Sequence, residues 1–342
     1  MNDASRSTGT TSAGQKTGTM MAVVQLAYGA TDVLSYEEVA QPLIVADEVL
    51  VQVRAAAVNH ADWVYMSGRP LIARLAFGLG KPKDKVRGKD VAGVVAAVGA
   101  DVTGFRIGDE VYAEVVAGAF AEYVAVPEKM LGRKPANLSF DQAATVPLSA
   151  RTALQALRDG GQVKADDKVL INGASGGVGT YAVQIAKALG AEVTAVCSTR
   201  NAALVRSLGA DHVVDYTAED FTQSERRYDV ILDLIGNHSL SRLRKVLTRR
   251  GTLVLSSGTG SPVFGPMGAI VKALALSPFV SQKLGVFPAV VGTDALDQLR
   301  DLVESGRVTP AIDRSYPLSQ VPDAVRHLVE EHARGKIVIT VG

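Results

Sequence analysis

The sequence predicts an α/β protein made of a predominantly β unit and a doubly wound parallel-sheet unit inserted into it. Three observations carry this. Short β-rich runs cut by Gly, Pro and Asp turns fill the chain up to about Ala144. Strand and helix patterns alternate after Val146, and the C-terminal stretch returns to extended runs between two helices. With 342 residues, 47% of them hydrophobic, the chain can bury cores for two domains.

Residues 1–19 hold mostly Ser, Thr, Gly, Ala and Asn without an apolar period, and we expect them to be disordered. They lack the apolar run of a secretory signal, Asp3 argues against a transit peptide, and Met20 or Met21 offers an alternative start. The expected strands of the first unit are Ala22–Leu26, Glu48–Ala56, Val91–Val98, Glu110–Val116 and Glu122–Val126. Those of the second are Lys168–Ile171, Glu192–Val196, Val213–Val214, Asp229–Leu234 and Gly251–Leu255. Between the first two of these, Val178, Ala182, Ile185, Ala186 and Leu189 share one helical face, and Gly190 closes the helix. The ending reads as helix Asp294–Glu304, an extended piece Val308–Tyr316, helix Val321–Glu331 and strand Lys336–Val341. The expected boundaries are residues 20–145 with 293–342 for the β unit and 146–292 for the doubly wound unit.

Charge excludes some partners. Lys and Arg number 36 against 35 Asp and Glu, which leaves no global field to draw nucleic acid or an anionic membrane, so a small molecule is the expected partner. The apolar stretches are too short or too interrupted to span a bilayer. One cysteine, Cys197, excludes an intramolecular disulfide and a four-cysteine zinc lobe, and fits a reducing, cytoplasmic setting.

The most specific motif runs from Lys168 to Gly179, a buried strand entering the turn Gly173-Ala-Ser-Gly-Gly-Val-Gly179 and then a helix. Gly176 and Gly179 take the second and third positions of a GxGxxG fingerprint, with Ala174 in the first. Backbone N–H groups of Ser175, Gly176, Gly177, Val178 and Gly179, with the positive end of the helix, suit the diphosphate of a dinucleotide. An ordinary glycine-rich connection is the plain alternative. At the end of the next strand, NAD-specific folds carry an acid for the adenine ribose. From Val193 to Ala210 there is none, and Ser198, Thr199 and Arg200 offer hydroxyls and a guanidinium to a 2′-phosphate, which favours NADPH. Arg200 could instead be a solvated helix-start residue.

Val58-Asn-His-Ala-Asp62 with Ser67-Gly68, Gly88-Lys-Asp-Val-Ala-Gly93, Val98-Gly99 with Gly108-Asp109, the Gly173–Gly179 turn, Leu208-Gly-Ala-Asp211 with Asp215-Tyr216, and Gly335-Lys-Ile-Val-Ile339 together resemble the quinone oxidoreductase branch of the zinc-independent medium-chain dehydrogenases/reductases. Asp62-Trp63 and Ser198–Asn201 look most like chloroplast-envelope quinone oxidoreductase homologues and enone oxidoreductases. The resemblance implies a GroES-like β domain, an inserted Rossmann domain and a cleft between them. It also implies Thr152 near the nicotinamide carboxamide, Ser198, Arg200 and Tyr216 around the adenosine phosphate, Ser256, Ser257, Gly258 and Thr259 by the nicotinamide ribose, and Lys336 returning to the cofactor. Where relatives often carry a lysine in the second βα loop, this chain has Ala202, leaving the charge to Arg200.

Zinc-dependent relatives need a Cys in the stretch matching Val58-Asn59 and a His in that matching Lys89-Asp90, and neither is present, so no metal is expected. His60 reads either as a cleft acid or as a packed side chain. Asn59, Asp62, Trp63 and Tyr65 are the expected substrate-side residues, and Asn59 and Tyr65 the catalytic candidates, with water as another proton source. Without a Lewis acid, hydride transfer from NADPH to an α,β-unsaturated ketone, aldehyde or quinone is the leading reading. A zinc-independent NADP alcohol or carbonyl dehydrogenase, and a non-catalytic NADPH-binding sensor or structural protein, stand beside it. The apolar segment Val263–Val291 reads as a homodimer edge or a pocket wall.

Overall fold

The computed structural model describes residues 18–256, 263, 265, 267–286, 293–331 and 333–342. Its strands are β1 (Thr19–Gln25), β2 (Leu34–Ala40), β3 (Glu48–Val58), β4 (Asp90–Val98), β5 (Glu110–Glu114), β6 (Tyr123–Pro127), β7 (Leu131–Arg133), β8 (Lys168–Asn172), β9 (Glu192–Cys197), β10 (His212–Asp215), β11 (Tyr228–Asp233), β12 (Leu247–Leu255), β13 (Lys283–Val286), β14 (Ile312–Pro317) and β15 (Lys336–Thr340). All the strands expected from the sequence are present. β2, β7 and β13 escaped it for physical reasons: β2 is an acidic strand with little burial, β7 has three residues, and β13 has four with a glycine among them.

The parallel sheet runs β10-β9-β8-β11-β12-β13, so the strand order reverses between β8 and β11. A crevice opens at the carboxyl ends of the strands at such a reversal. The second sheet runs β14-β15-β3-β4-β5-β7, with β6 also on β3. The last strand of the chain therefore lies antiparallel to β3, Ile337 opposite Val58. Both sheets feed one apolar cluster, in which Ala55, Ala57 and Tyr112 join Val169, Ile171 and Ile185.

The helix Gly177–Ala188 is buried without a break from Gly179 to Ala186, more widely than the one apolar face expected from its sequence. A second helix, Pro147–Gln155, lies on its outer side, and polar residues of the wetter face find partners. The Tyr181 hydroxyl meets Thr145 Oγ1 at 2.7 Å, and Gln184 exchanges two hydrogen bonds with the Thr309 backbone. Gly179 is required by contact: a Cβ there would stand 2.1 Å from the Gly173 carbonyl oxygen.

One buried ammonium ties the sheets together. Lys336, at the start of β15, donates to Asn59 Oδ1 and, at 3.0 Å, to Ser149 Oγ, and its Nζ is 3.6 Å from Asp90 Oδ2. The side chains of Lys336 and Asp90 are 1% and 0% exposed. Both Asp90 oxygens are occupied, Oδ1 by the Leu148 N–H and Oδ2 by Asn59 Nδ2, each at 3.0 Å. Burial pushes the Asp90 carboxyl up to about 7, against the pull of the Lys336 ammonium, with Glu114 adding to the rise. The backbone adds a bond of its own, from the Gly335 N–H to the Ser175 carbonyl at 2.9 Å.

Two outcomes follow for stability. Gly179→Ala is expected to lower the unfolding free energy by about 3 kcal/mol, since only backbone movement relieves the clash; Gly176→Ala, whose Cβ would meet only an oxygen at 3.5 Å, should change it by less than about 1 kcal/mol in the same urea titration. Lys336→Met should cost about 3 kcal/mol by leaving Asp90 buried without its cation. Asp90 ionises near 4 in the unfolded chain and near 7 in the folded one, so its contribution to stability falls as pH rises from 4 to 7 and is constant above. Its coupling to Lys336, read from a double-mutant cycle of Lys336→Met and Asp90→Asn, should accordingly be larger at pH 8 than at pH 6.

Candidate active site

The glycine turn forms because β8 ends at the sheet's point of reversal and a twelve-residue helix begins at Gly177. Gly176 caps that helix with extended backbone, φ −83° and ψ 179°, and no side chain hydrogen-bonds to the cap. The first N–H groups of a helix have no partner within it. A Cβ on Gly176 would meet only the Gly173 carbonyl oxygen, at 3.5 Å. The Ser175 hydroxyl accepts from Asn201 Nδ2 at 3.0 Å, and the same amide reaches Ser198 Oγ at 3.3 Å. Asn201 therefore holds the glycine turn against the end of β9, a link that sequence reasoning missed.

Beyond β9 the structure brings Ser198, Thr199 and Arg200 to the side of the turn where Tyr216 follows β10. Thr199 Oγ1 donates to Asp215 and lies 3.1 Å from Thr217 Oγ1. Arg200 is exposed, and its Nη2 donates to the Glu331 carbonyl at 2.8 Å, so a segment near the chain's end lies beside this corner. Tyr216 is exposed. Ser256 follows β12 directly, bonded through its N–H to the Asp233 carbonyl at 3.2 Å. Ser257, Gly258 and Thr259 lie outside the described residues.

At the crevice itself, Asn172 and Asp233 end β8 and β11, with Asn172 Nδ2 donating to Asp233 Oδ1 at 2.8 Å. That oxygen also accepts the Ile235 and Gly236 N–H groups, while the buried Oδ2 has no partner. Neither residue was singled out in the sequence; buried polar residues closing two apolar strands were the available signal.

Facing the turn is the helix His60–Ser67, started by Asn59. The Asp62 carboxylate reaches back to accept the Asn59 N–H at 2.8 Å, which frees the Asn59 side chain for Asp90 and Lys336. Asp62 is buried, its Oδ1 has no partner, and burial holds its carboxyl above the usual range against the pull of the Asn59 N–H and of Arg87, Lys89 and Lys336. Lys336 reaches the glycine turn through its stem, with Cδ 3.2 Å from the place of a Cβ on Gly177, while its ammonium faces Asn59, Ser149 and Asp90. Thr152, one turn along from Leu148 and partly buried, donates to the Leu148 carbonyl at 2.7 Å. Ser149 is an addition to the expected set.

His60 and Trp63 stand together, ring centroids 5.1 Å apart, His60 at the surface and Trp63 packed on the core beneath β3. Tyr65 stacks on Phe77 at 3.5 Å between centroids, with the Arg87 guanidinium and the Lys89 ammonium each 5.1 Å from its ring centre. Burial raises its hydroxyl above the usual range, and Arg87 opposes this. His327 is occupied between Tyr316 and Asp313. Among the described residues no group of three or more His, Cys, Asp or Glu side chains is placed to hold a metal ion, and no helix is long and apolar enough to cross a membrane.

Residues 45–136 match the alcohol dehydrogenase GroES-like domain family and residues 208–339 the zinc-binding dehydrogenase family. The chain is 36% identical over 334 residues to the chloroplastic NADPH-dependent alkenal/one oxidoreductase of Arabidopsis thaliana, covering 94% of this chain and 79% of that protein. It is 35% identical to the 2-methylene-furan-3-one reductase of Solanum lycopersicum, over 91% of this chain and 76% of the relative. The solved quinone oxidoreductase from Coxiella burnetii superposes with a TM-score of 0.84 at 29% identity, covering 95% of this chain and all of that one. The shared crevice, the β strand returning from the chain's end and these likenesses over nearly the whole length agree: the chain belongs to the medium-chain dehydrogenase/reductase family, in the branch of the quinone oxidoreductase homologues and enone reductases.

Proposed function

We propose that this protein is an NADPH-dependent reductase of conjugated carbonyl acceptors, α,β-unsaturated ketones and aldehydes or quinones, working without a metal ion. The observation that carries the reading is the meeting of the glycine turn with the Asn59–Asp62 loop across Lys336, at the sheet's point of reversal. Ser175 to Gly179 suit the diphosphate, since a helix N-terminus without a side-chain cap offers N–H donors to it. In this reading Ser198, Thr199, Arg200 and Tyr216 form the corner for the adenosine phosphate; the sequence has no acid from Val193 to Ala210, and the Asp215 carboxylate that folding brings there accepts the Thr199 hydroxyl, with the Arg200 guanidinium and the Ser198 hydroxyl to meet a 2′-phosphate. Thr152 and Ser256 flank the nicotinamide end in this reading, and Lys336 acts by positioning Asn59 and Gly177. When bound, the reduced nicotinamide supplies a hydride. The activities for which two relatives are named, an NADPH-dependent alkenal/one oxidoreductase and a 2-methylene-furan-3-one reductase, support the choice of acceptor.

A zinc ion, implied by the family name, does not fit the residues at the Asn59–Asp90 position. The Lys336 ammonium already lies among Asn59, Ser149 and Asp90, and a second cation there would meet its charge with no thiolate or imidazole to offset it. Asn59 instead orients the loop, its amide held at both ends by Asp90 and Lys336. Reduction of an electrophilic acceptor asks for position and dryness more than for a Lewis acid. We also propose the edge of β13, the last strand of the parallel sheet among the described residues, as a homodimer surface, and the cytoplasm as the setting.

NADPH oxidation followed by absorbance with a panel of enones and quinones tests the function: turnover that survives a chelator supports it, and saturating NADPH with no turnover on any member of the panel ends it. Steady NADP-linked oxidation of simple alcohols would favour a dehydrogenase instead. Arg200→Ala should lose about tenfold of the preference for NADPH over NADH, the loss of one charge-assisted hydrogen bond.

A further inference from the structure

A second cluster of charges lies beside the Asn59 loop. Arg87 and Lys89 precede β4 and converge on the Tyr65 ring, each 5.1 Å from its centre. Arg87 is buried, with its Nη1 donating to the Asp84 carbonyl at 3.3 Å and its Nε left without a partner. It cannot reach outward. Lys89 differs. Its side chain is 12% exposed, its nearest carboxylate oxygen is Glu114 Oε1 at 3.9 Å, and its ammonium makes no hydrogen bond among the described residues. Glu114 gives its other oxygen to the buried Arg151. The ammonium is thus supported from below by a ring face and a shared carboxylate, with its three donors unspent.

Lys89 stands beside the Asn59–Asp62 loop, where its charge pulls the buried Asp62 carboxyl down against the effect of burial. The loop after the His60–Ser67 helix is fastened to the segment that follows β12, by the Ile72 N–H on the Val263 carbonyl at 3.0 Å and by Pro70 against Gly265. Tyr65 of that helix stacks on Phe77 of the loop, and Asp90, the residue after Lys89, is bonded to Asn59 and to the helix beside the glycine turn.

Resting on the reductase reading above, we infer that Lys89 is a catalytic residue: its ammonium donates a charge-assisted hydrogen bond to the carbonyl oxygen of the acceptor and holds the negative charge that gathers there. Hydride addition to the β-carbon forms a C–H bond, breaks the C=C π bond and leaves that electron pair on the carbonyl oxygen as an enolate. The α-carbon then takes a proton from water, so the acceptor gains two electrons and the nicotinamide is oxidised by two. A quinone takes the hydride at a ring carbon and forms the same enolate; that carbon then passes a proton, through water, to the second carbonyl oxygen as the ring becomes aromatic, and the first oxygen remains a phenolate until water protonates it. A fixed cation at the oxygen, in place before the charge develops, is the arrangement that lowers such a barrier.

The test uses 4-nitrophenol, a neutral phenol whose anion is yellow, added to the full-length protein without cofactor at a pH one unit below the point at which it ionises in water. Wild type and Lys89→Arg should raise the phenolate absorbance on binding, and Lys89→Met should not, while its NADPH Kd stays within twofold of wild type. With an enone, kcat of Lys89→Met should fall about 100-fold with an unchanged KM for NADPH. If wild type gives no phenolate band, or Lys89→Met keeps both band and kcat, the inference is wrong. Should Lys89→Met fail to bind NADPH, Lys89→Gln carries the same comparison. The band needs no turnover, so it judges Lys89 even where no acceptor is reduced, an outcome that overturns the reductase reading itself.

Discussion

The ammonium of Lys336 is where the two sheets, the glycine turn and the Asn59 loop are held in one arrangement. Taking a lysine and an aspartate fully out of water costs several kcal/mol for each ion, and their attraction offsets this only when the remaining donors and acceptors are also met. Here they are: Asn59, Ser149 and the Leu148 N–H complete the set around the pair. Such a cluster has one good geometry, so it sets the distance between the turn and the loop more sharply than apolar packing would.

That geometry has a chemical use. A crevice at a sheet reversal offers a helix N-terminus to a diphosphate on one wall, and the wall opposite must present the acceptor at the right distance. In the proposed reading the Asn59–Asp62 loop is that wall, and the stem of Lys336 lies against Gly177 on the other side. Asn59 stands at the position where zinc-dependent relatives need a thiolate, and its amide meets a protein cation there rather than a metal. In the proposed reading the polar work of the cleft passes to protein donors such as Lys89, whose ammonium makes no hydrogen bond among the described residues.

Much of this was legible in the chain. The strands of both sheets, the glycine turn, the helix that follows it and the return of the last strand were expected from periodicity and turn residues, because those signals are local. The strands that escaped, β2, β7 and β13, are short or polar and gain their structure from neighbours. The helix Gly177–Ala188 was legible in place but not in burial, since Thr180 and Gln184 read as solvent residues until the Pro147–Gln155 helix and Thr309 cover them.

For the site, the sequence by itself determined the glycine turn between β8 and its helix and a stretch after β9 without an acid, features that depend on glycines and residue types within a few positions of one another. Only the tertiary structure decided which charges meet. Asn59, Asp90, Ser149 and Lys336 are spread over 277 residues from first to last, and their hydrogen bonds exist only after β15 has paired with β3. The same holds for Lys89 and Tyr65: each reads as an ordinary surface or packing residue alone, and the meaning of each comes from the ring, the carboxylate and the crevice that folding brings beside it.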